Sequence, residues 1–250
     1  MRRTKIVATI GPAVADVEAQ EQLLRAGVNV FRFNFSHASH EIHGKMIQQI
    51  RTLSQKIGIP VAIMLDTKGP EVRTGDVQHP VIVTEGQEVV FTVDACEYER
   101  DSKIGVSYDA FVQDVAKGEI FLVDNGVLKF EVLDIKGRDV ICRSLDSGEI
   151  GSRRHINLPG REVSLDSITE KDWEDMAFGV EQGVDFFAVS FIRSAQEVHD
   201  IRSMLKKHDS NIKIIPKIES EAALHNLEEI IEAADGVMVA RGDLGAEIPF

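Results

Sequence analysis

The 250-residue chain contains 41 acidic and 28 basic residues. Its formal net charge of -13 argues against nucleic acid or an anionic membrane surface as a general partner. Two cysteines, Cys96 and Cys142, are too few for a disulfide framework and show no CxxC spacing, which fits a reducing compartment.

The first predicted element is the strand KIVATI, which follows a basic start and ends at Gly11-Pro12. Its apolar run of about five residues is shorter than the roughly 7 to 15 of a signal peptide. No window of the chain has the length and apolarity of a membrane span. We therefore expect a soluble cytoplasmic protein.

Short β-rich runs alternate with helical patterns from residue 4 to residue 69. The helix candidate ADVEAQEQLLRAG ends at Gly27, a natural C-terminal stop, and the strand VNVFRFNFS follows it. A second helix is predicted over roughly residues 41–57, before Gly58, and the strand PVAIMLD comes next.

The middle of the chain, residues 71–168, has a different composition. Its strand-like runs VIVTEGQEVVFTV, GEIFLVDNGVLKFEVL and RDVICRSL are separated by turn signals, among them the hairpin signal Asp124-Asn125-Gly126. We predict an antiparallel β module here.

The alternation of helices and strands returns over residues 169–250. Thr169 and Asp172 form a plausible capping box for the helix KDWEDMAFGVEQ, and Gly183 follows that helix. The strand DFFAVSFI, the helix around VHDIRSMLKKH, the strand IKIIPKIE, the helix AALHNLEEIIEAA and the strand GVMVARGD complete the series.

This pattern predicts an α/β protein with a parallel sheet. The β module interrupts the series after the third strand, so we predict an insertion there with its boundary at Gly69-Pro70. The predicted domains are residues 1–70, the inserted domain 71–168, and residues 169–250.

Polar residues stand at the carboxyl ends of the predicted strands, where parallel α/β folds gather their chemistry. The residues are Arg32, Asn34 and Ser36; Asp66 and Thr67; Lys217 and Glu219; and Arg241, Gly242 and Asp243. For any one strand a solvated terminus would explain such residues. Charge pairs at four strand ends make that explanation poor, because buried charges need partners.

These residue types suit phosphoryl transfer, which needs positioning and charge neutralisation. Glu219 and Asp243 could hold a hard divalent cation such as Mg²⁺, and Lys217 and Arg32 could meet phosphate or carboxylate. The oxygen ligands of Asn34, Ser36, Asp66 and Thr67 carry one formal charge, which suits a monovalent cation. ARGDLG offers backbone N–H groups at a predicted helix start.

Six motifs in this order and spacing resemble the pyruvate kinase family: TKIVATIGP, RFNFSH, LDTKGPEVRTG, INLPG, KIES and VMVARGDLGAEIP. The resemblance runs from the first strand to the last residue. It implies a partial TIM (β/α)8 barrel with an all-β, barrel-like lid domain inserted after the third strand. It also implies glycolytic phosphoryl transfer between phosphoenolpyruvate and ADP, giving pyruvate and ATP, with Mg²⁺ and K⁺ as cofactors.

The resemblance implies a role for each matching residue. Arg32 would bind the substrate phosphoryl group, and Lys217 would stabilise the transferring phosphoryl group and the enolate. Glu219 and Asp243 would bind Mg²⁺, with Gly242 and Asp243 in the substrate site. Four residues would ligate K⁺: Asn34, Ser36, Asp66 and Thr67. Six residues would contact the nucleotide: Asn34, Phe35, Ser36, His37, Arg73 and Arg154.

The chain departs from the family pattern in length and at single positions. Family chains run considerably further, with two more barrel strands and a C-terminal domain, and full-length relatives are expected to be homotetramers. We therefore do not expect this chain alone to turn over phosphoenolpyruvate appreciably. Arg154 stands where the family has lysine, which keeps the charge but changes its geometry.

Two other functions remain open from the sequence. One is a truncated, non-catalytic chain that binds phosphoenolpyruvate, metal or partner subunits. The other is a Mg²⁺-dependent lyase-type barrel acting on phosphoenolpyruvate or pyruvate, against which Arg73, the K⁺ set and the lid argue. His37, His40 and His43 also permit a metal site, although a surface location at the start of a helix is the commoner outcome.

Overall fold

A computed structural model describes residues 3–124, 126–159 and 164–248, which divide into two compact units. The first unit contains residues 3–70, 167–218 and 225–239. The second contains residues 71–124, 126–159, 164–166, 219–224 and 240–248. Three residues of the sequence motifs lie outside the described residues: Asn125, Gly160 and Pro249.

The first unit begins with alternating strands and helices. The elements are β1 (Val7–Thr9), α1 (Val17–Ala26), β2 (Val30–Asn34), α2 (His40–Ile57) and β3 (Ala62–Asp66), with a 3₁₀ turn at Pro12–Val14. Asp16 caps α1 by accepting the backbone N–H of Ala19 at 2.8 Å. Gly27 and Gly58 end the two helices with φ values of 98° and 69°, as their positions in the sequence predict.

The second unit is built mainly from strands. Its elements are β4 (Val81–Val83), β5 (Glu88–Thr92), α3 (Tyr98–Asp101), β6 (Lys103–Gly105), α4 (Phe111–Asp114), β7 (Ile120–Val123), β8 (Leu128–Lys136), β9 (Asp139–Ser144), β10 (Gly148–Ile150) and β11 (Ile156–Asn157). A six-stranded sheet has the order β11-β7-β8-β9-β5-β6, and β10 pairs separately with β4. Phe91, Phe111, Phe121 and Phe130 pack in its core with ring centroids 5.0–5.6 Å apart.

The predicted hairpin is present between β7 and β8, where Val123 pairs antiparallel with Leu128. Asp124 and Gly126 adopt φ values of 56° and 86°, the left-handed region that the sequence signal requires. The prediction of a purely antiparallel module is wrong at one place, because β5 and β6 are parallel. The chain reaches β6 through α3, and such a crossover permits parallel neighbours where a tight turn does not.

The chain then resumes its alternation of helices and strands. The elements are α5 (Glu170–Glu181), β12 (Phe186–Val189), α6 (Ala195–Lys207), β13 (Lys213–Ile218), α7 (Glu221–His225), α8 (Leu227–Ala233), β14 (Met238–Val239) and α9 (Arg241–Glu247). The predicted capping box of Thr169 and Asp172 is confirmed at the start of α5. The single helix predicted for AALHNLEEIIEAA is wrong: α7 and α8 are separated at Asn226, whose side chain donates to the Arg193 carbonyl at 2.9 Å.

Six parallel strands form one curled sheet in the order β1-β2-β3-β12-β13-β14. Its register places Asn34 opposite Asp66, and Asp66 opposite Ala188. The carboxyl ends of neighbouring strands therefore come together at one edge. This sheet and the β module between β3 and β12 confirm the predicted partial barrel with an inserted β domain. None of the described helices has the length and apolarity needed to cross a bilayer.

Helix α5 lies close to the sheet at Gly179. A Cβ atom added there would lie 2.7 Å from Cε1 of Phe187 and 2.8 Å from Cδ1 of Leu65, and both of those side chains are fully buried. The glycine is therefore a packing requirement within a helix that otherwise favours larger residues.

We expect Gly179→Ala to lower the free energy of unfolding by roughly 1 to 3 kcal/mol, because the methyl group overpacks the interface. Glu174→Ala on the exposed face of the same helix is the control, and it should change that free energy by less than about 0.5 kcal/mol. Urea denaturation of both variants measures the difference. Stabilisation by Gly179→Ala would show that helix propensity outweighs packing here.

His43 of α2 lies buried against the end of β2. Its ring stacks on Phe35 with centroids 4.2 Å apart, and its Nε2 lies 2.7 Å from the His37 carbonyl oxygen. The carbonyl can only accept, so Nε2 carries the proton. Burial lowers the pKa of His43 from 6.5, and the hydrogen bond to His37 opposes this shift.

The lowered pKa of His43 predicts a loss of stability in acid. His43 binds a proton more tightly in the unfolded chain than in the folded protein, because its pKa is lower in the folded protein. The free energy of unfolding therefore has its full value above the ordinary pKa of 6.5 and decreases as the pH falls from there through the lowered pKa. We expect His43→Gln to lose less unfolding free energy than the wild type between about pH 7.5 and pH 5. Replacement of the exposed His199 by Gln should leave the wild-type dependence intact, and identical slopes for all three proteins would contradict the assignment.

Candidate active site

The carboxyl-terminal edge of the parallel sheet carries a group of polar side chains that we call the strand-end cluster. Its members are Arg32 on β2, Asp66 at the end of β3, Thr67 directly after it, Ser190 directly after β12, and Lys217 on β13. Asp66, Thr67 and Ser190 are 1–2% exposed. These three side chains are therefore polar and almost completely buried, so the charge of Asp66 must be compensated by its neighbours.

Asp66 is the only carboxylate of the strand-end cluster, and it contacts both of the cluster's cations. Its Oδ2 accepts a hydrogen bond from Arg32 Nε, and its Oδ1 lies 3.4 Å from Lys217 Nζ. Arg32 also donates through Nη1 to Thr9 Oγ1 at 2.8 Å. The side chains of Arg32 and Lys217 remain 26% and 12% exposed, so both cations can reach a ligand at this edge.

Ser190 connects Lys217 to the end of β3. Lys217 Nζ donates to Ser190 Oγ at 2.8 Å, and the Ser190 hydroxyl donates to the Thr67 carbonyl at 2.6 Å. The Ser190 backbone N–H in turn donates to Thr67 Oγ1 at 3.0 Å. Sequence reasoning missed Ser190, although the rule that chemistry collects at strand ends would have selected it.

The four residues predicted to ligate K⁺ occupy neighbouring strand ends in the first unit. The Phe35 backbone N–H donates to the Asp66 carbonyl at 2.9 Å, and the Ser36 N–H donates to Asn34 Oδ1 at 3.0 Å. The donor set contains one carboxylate and several neutral oxygens. A donor set with a single formal negative charge fits a monovalent cation better than a divalent one.

Residues 34–37 form a turn after β2, in which the His37 N–H donates to the Asn34 carbonyl at 3.3 Å. Phe35 is buried and stacks on His43, so it acts in packing, while the side chain of His37 is exposed. Among residues 3–124, 126–159 and 164–248, no three His, Cys, Asp or Glu side chains are grouped to hold a metal. His43 bonds the His37 carbonyl and His40 bonds Asp175, so two rings of the trio have protein partners. The expected surface location is wrong for His43, which is buried.

Arg73 and Arg154 lie in the second unit, in adjoining segments joined by a Thr74 N–H to Arg154 carbonyl bond of 2.8 Å. The Arg73 guanidinium donates to both carboxylate oxygens of Glu71 at 2.8 and 2.6 Å. These hydrogen bonds raise the pKa of Arg73. Arg154 is half-exposed and lies 3.5 Å from the Asp124 carboxylate. A nucleotide would have to compete with these carboxylates for both guanidinium groups.

The predicted Mg²⁺ ligands Glu219 and Asp243 also lie in the second unit. Glu219 is 1% exposed, and Asp243 lies in the first turn of α9, beside the exposed Gly242. Burial raises the pKa of Glu247 to about 7, the hydrogen bond from Asn157 opposes the shift, and the Glu221 and Asp243 carboxylates add to it. Carboxylate oxygens are the ligands that suit Mg²⁺, so the residue types at positions 219 and 243 fit the predicted cation.

Comparison with known proteins gives a consistent result over the whole chain. The model of the pyruvate kinase barrel domain matches residues 1–250. The chain is 48% identical over 250 residues to plastidial pyruvate kinase 2 of Arabidopsis thaliana, and 46% identical over 252 residues to pyruvate kinase of Staphylococcus aureus (strain MRSA252). It is also 46% identical over 253 residues to pyruvate kinase of Bacillus licheniformis.

These matches cover 100% of this chain and 43% of each of the three relatives, so the chain spans less than half of their length. A match of the family model from the first to the last residue, together with these identities, identifies the family. The chain belongs to the pyruvate kinase family.

Proposed function

We propose that this protein transfers a phosphoryl group between phosphoenolpyruvate and ADP, giving pyruvate and ATP in glycolysis. The observation that carries the proposal is the strand-end cluster, in which two cations share one buried carboxylate at the sheet edge of a pyruvate kinase family member. Arg32 and Lys217 both remain partly exposed at this edge, and their positive charges favour an anionic substrate.

The residues have distinct proposed roles. Arg32 binds the phosphoryl group and Lys217 stabilises the charge that develops on the phosphoryl and enolate oxygens during transfer. The N–H of Gly242 helps to seat the substrate carboxylate. The nucleotide is bound by residues 34–37, Arg73 and Arg154, and residues 71–168 act as a lid that excludes water.

Two kinds of cation belong to the proposal. Glu219 and Asp243 would hold Mg²⁺, and the four oxygen-bearing residues would hold K⁺: Asn34, Ser36, Asp66 and Thr67. When bound, the cations supply charge neutralisation for the phosphoryl and carboxylate oxygens. The match to the family model does not favour the two alternatives, a non-catalytic binding chain and a lyase-type barrel.

Location and assembly are further parts of the proposal. The cysteine usage supports a cytoplasmic location, but the relatives include plastidial enzymes, so the comparisons do not fix the compartment. A homotetramer remains our expectation for the full-length relatives. Size-exclusion chromatography with light scattering measures the assembly directly.

In a complete enzyme that contains this chain, we expect Lys217→Met to lower kcat on the order of 100-fold or more with a smaller change in KM, because the lysine charge acts mainly in the transition state. A coupled assay of pyruvate formation measures both constants. Lys213→Met is the control, since Lys213 lies on the same strand and pairs with Asp235 at 3.1 Å. Near-normal turnover in Lys217→Met, or an equal loss in Lys213→Met, would remove Lys217 from the mechanism.

In the same complete enzyme, Ser190→Ala should lower kcat by roughly 10- to 100-fold, because Lys217 loses a hydrogen bond that fixes its position. Ser144→Ala is the matched control, since Ser144 is equally buried and donates to the Asp146 carbonyl at 2.7 Å. Comparable losses in both variants would indicate general destabilisation, whereas a loss confined to Ser190→Ala supports a positioning role. Unfolding curves of the two variants complete the comparison.

A further inference from the structure

The turn of residues 34–37 is held by main-chain contacts on several sides. Its Phe35 N–H donates to the Asp66 carbonyl at 2.9 Å. The Phe35 carbonyl accepts from Lys171 Nζ at 3.1 Å, and the His37 carbonyl accepts from His43 at 2.7 Å. These groups belong to the backbone between Asn34 and His37, so their partners fix the path of the turn.

Lys171 belongs to an ionic network at the start of α5. Its Nζ lies 2.5 Å from Asp175 Oδ2, and His40 Nε2 lies 2.6 Å from Asp175 Oδ1. Asp175 is 1% exposed, whereas Lys171 and His40 are 49% and 41% exposed. A carboxylate this deeply buried is costly unless its oxygens are paired. The pair with Asp175 therefore stabilises the conformation in which Lys171 Nζ reaches the Phe35 carbonyl.

Stacked rings connect α2 to α5 and to the turn in the same region. His40 stacks on Phe178 with centroids 4.5 Å apart and planes 9° from parallel, and His43 stacks on Phe35 at 4.2 Å. His40 and His43 both belong to α2, while Phe178 belongs to α5. The turn is thus clamped between two helices by these stacked side chains.

We propose that Lys171 and Asp175 are positioning residues for the monovalent-cation site, holding the turn so that Asn34 and Ser36 offer oxygens beside Asp66. The proposal rests on the cation assignment within the proposed function. Lys171 holds the Phe35 carbonyl, while Asp66 receives the N–H of the same residue, so the turn cannot shift without breaking one of these contacts. Outer partners of this kind typically set the affinity of the ligands that they orient.

An ordinary helix ion pair is the competing explanation. Lys45 and Glu41 on α2 form such a pair at 2.6 Å with the same spacing of four residues, but both side chains are about three-quarters exposed. An exposed pair contributes little to stability and orients nothing. This pair therefore provides a matched control for the Lys171–Asp175 pair.

The experiment measures binding of the thallous ion, a probe for K⁺, to the purified protein by thallium NMR titration. We expect Lys171→Met to weaken binding by about 10-fold or more. Lys171→Arg keeps a positive charge and N–H donors and should retain most of the affinity. Lys45→Met should stay within about twofold of the wild type, because its pair is exposed.

Asp175→Asn tests the network through its other member and replaces a carboxylate by an amide of the same shape. It should also weaken thallous-ion binding, since Lys171 loses its anchor. This variant decides the question if Lys171→Met does not fold, as judged by thermal melting followed by circular dichroism. Wild-type affinity in a folded Lys171→Met or Asp175→Asn protein, or an equal loss in Lys45→Met, would overturn the proposal.

Pyruvate formation by complete enzymes that contain this chain and carry the same substitutions separates this proposal from the proposed function. A wild type that binds the thallous ion without forming pyruvate would contradict the function, while the positioning proposal would still be decided by the variants. A wild type that forms pyruvate while Lys171→Met keeps full thallous-ion affinity would contradict the positioning proposal alone. A wild type that binds no thallous ion would overturn the cation assignment and this proposal with it.

Discussion

The strand-end cluster depends on the burial of one negative charge at Asp66. A carboxylate that is 1% exposed is costly unless positive charge and hydrogen-bond donors surround it. Arg32 and Lys217 meet that requirement from β2 and β13, which flank β3 and β12 in the parallel sheet. Loss of the carboxylate would leave two cations close together, and loss of either cation would leave the carboxylate underpaired. The cluster is therefore stable only as a unit.

The register of the parallel sheet brings the residues of the strand-end cluster to one place. Asn34 lies opposite Asp66, and Asp66 lies opposite Ala188, so residues far apart in sequence end at the same edge. Close packing of α5 at Gly179 holds the supporting helix against the sheet, and the same helix brings Lys171 to the turn after β2. The packing of α5 against the sheet therefore also positions the Lys171 side chain next to the turn after β2.

Local signals in the sequence predicted much of the fold. Gly27 and the Thr169–Asp172 capping box act through bonds within a few residues, and both were predicted correctly. The helix break at Asn226 depends on the distant Arg193 carbonyl, and the parallel pairing of β5 with β6 depends on a crossover, so neither is visible locally. The strand-end rule selected the charged residues, whose roles remain proposals.

The residues that sequence reasoning missed act on the backbone of other elements. Ser190 donates to the Thr67 carbonyl, and Lys171 donates to the Phe35 carbonyl. Every residue carries the same backbone carbonyl group. The sequence therefore does not show which carbonyl a serine or lysine side chain will bond. Arg32 and Lys217 already pair with Asp66 at this edge, and a phosphoryl group carries roughly two negative charges near neutral pH. Binding of such a group would therefore require further cations for charge balance. The neutral oxygens of the turn that Lys171 holds are suited to bind one of these cations.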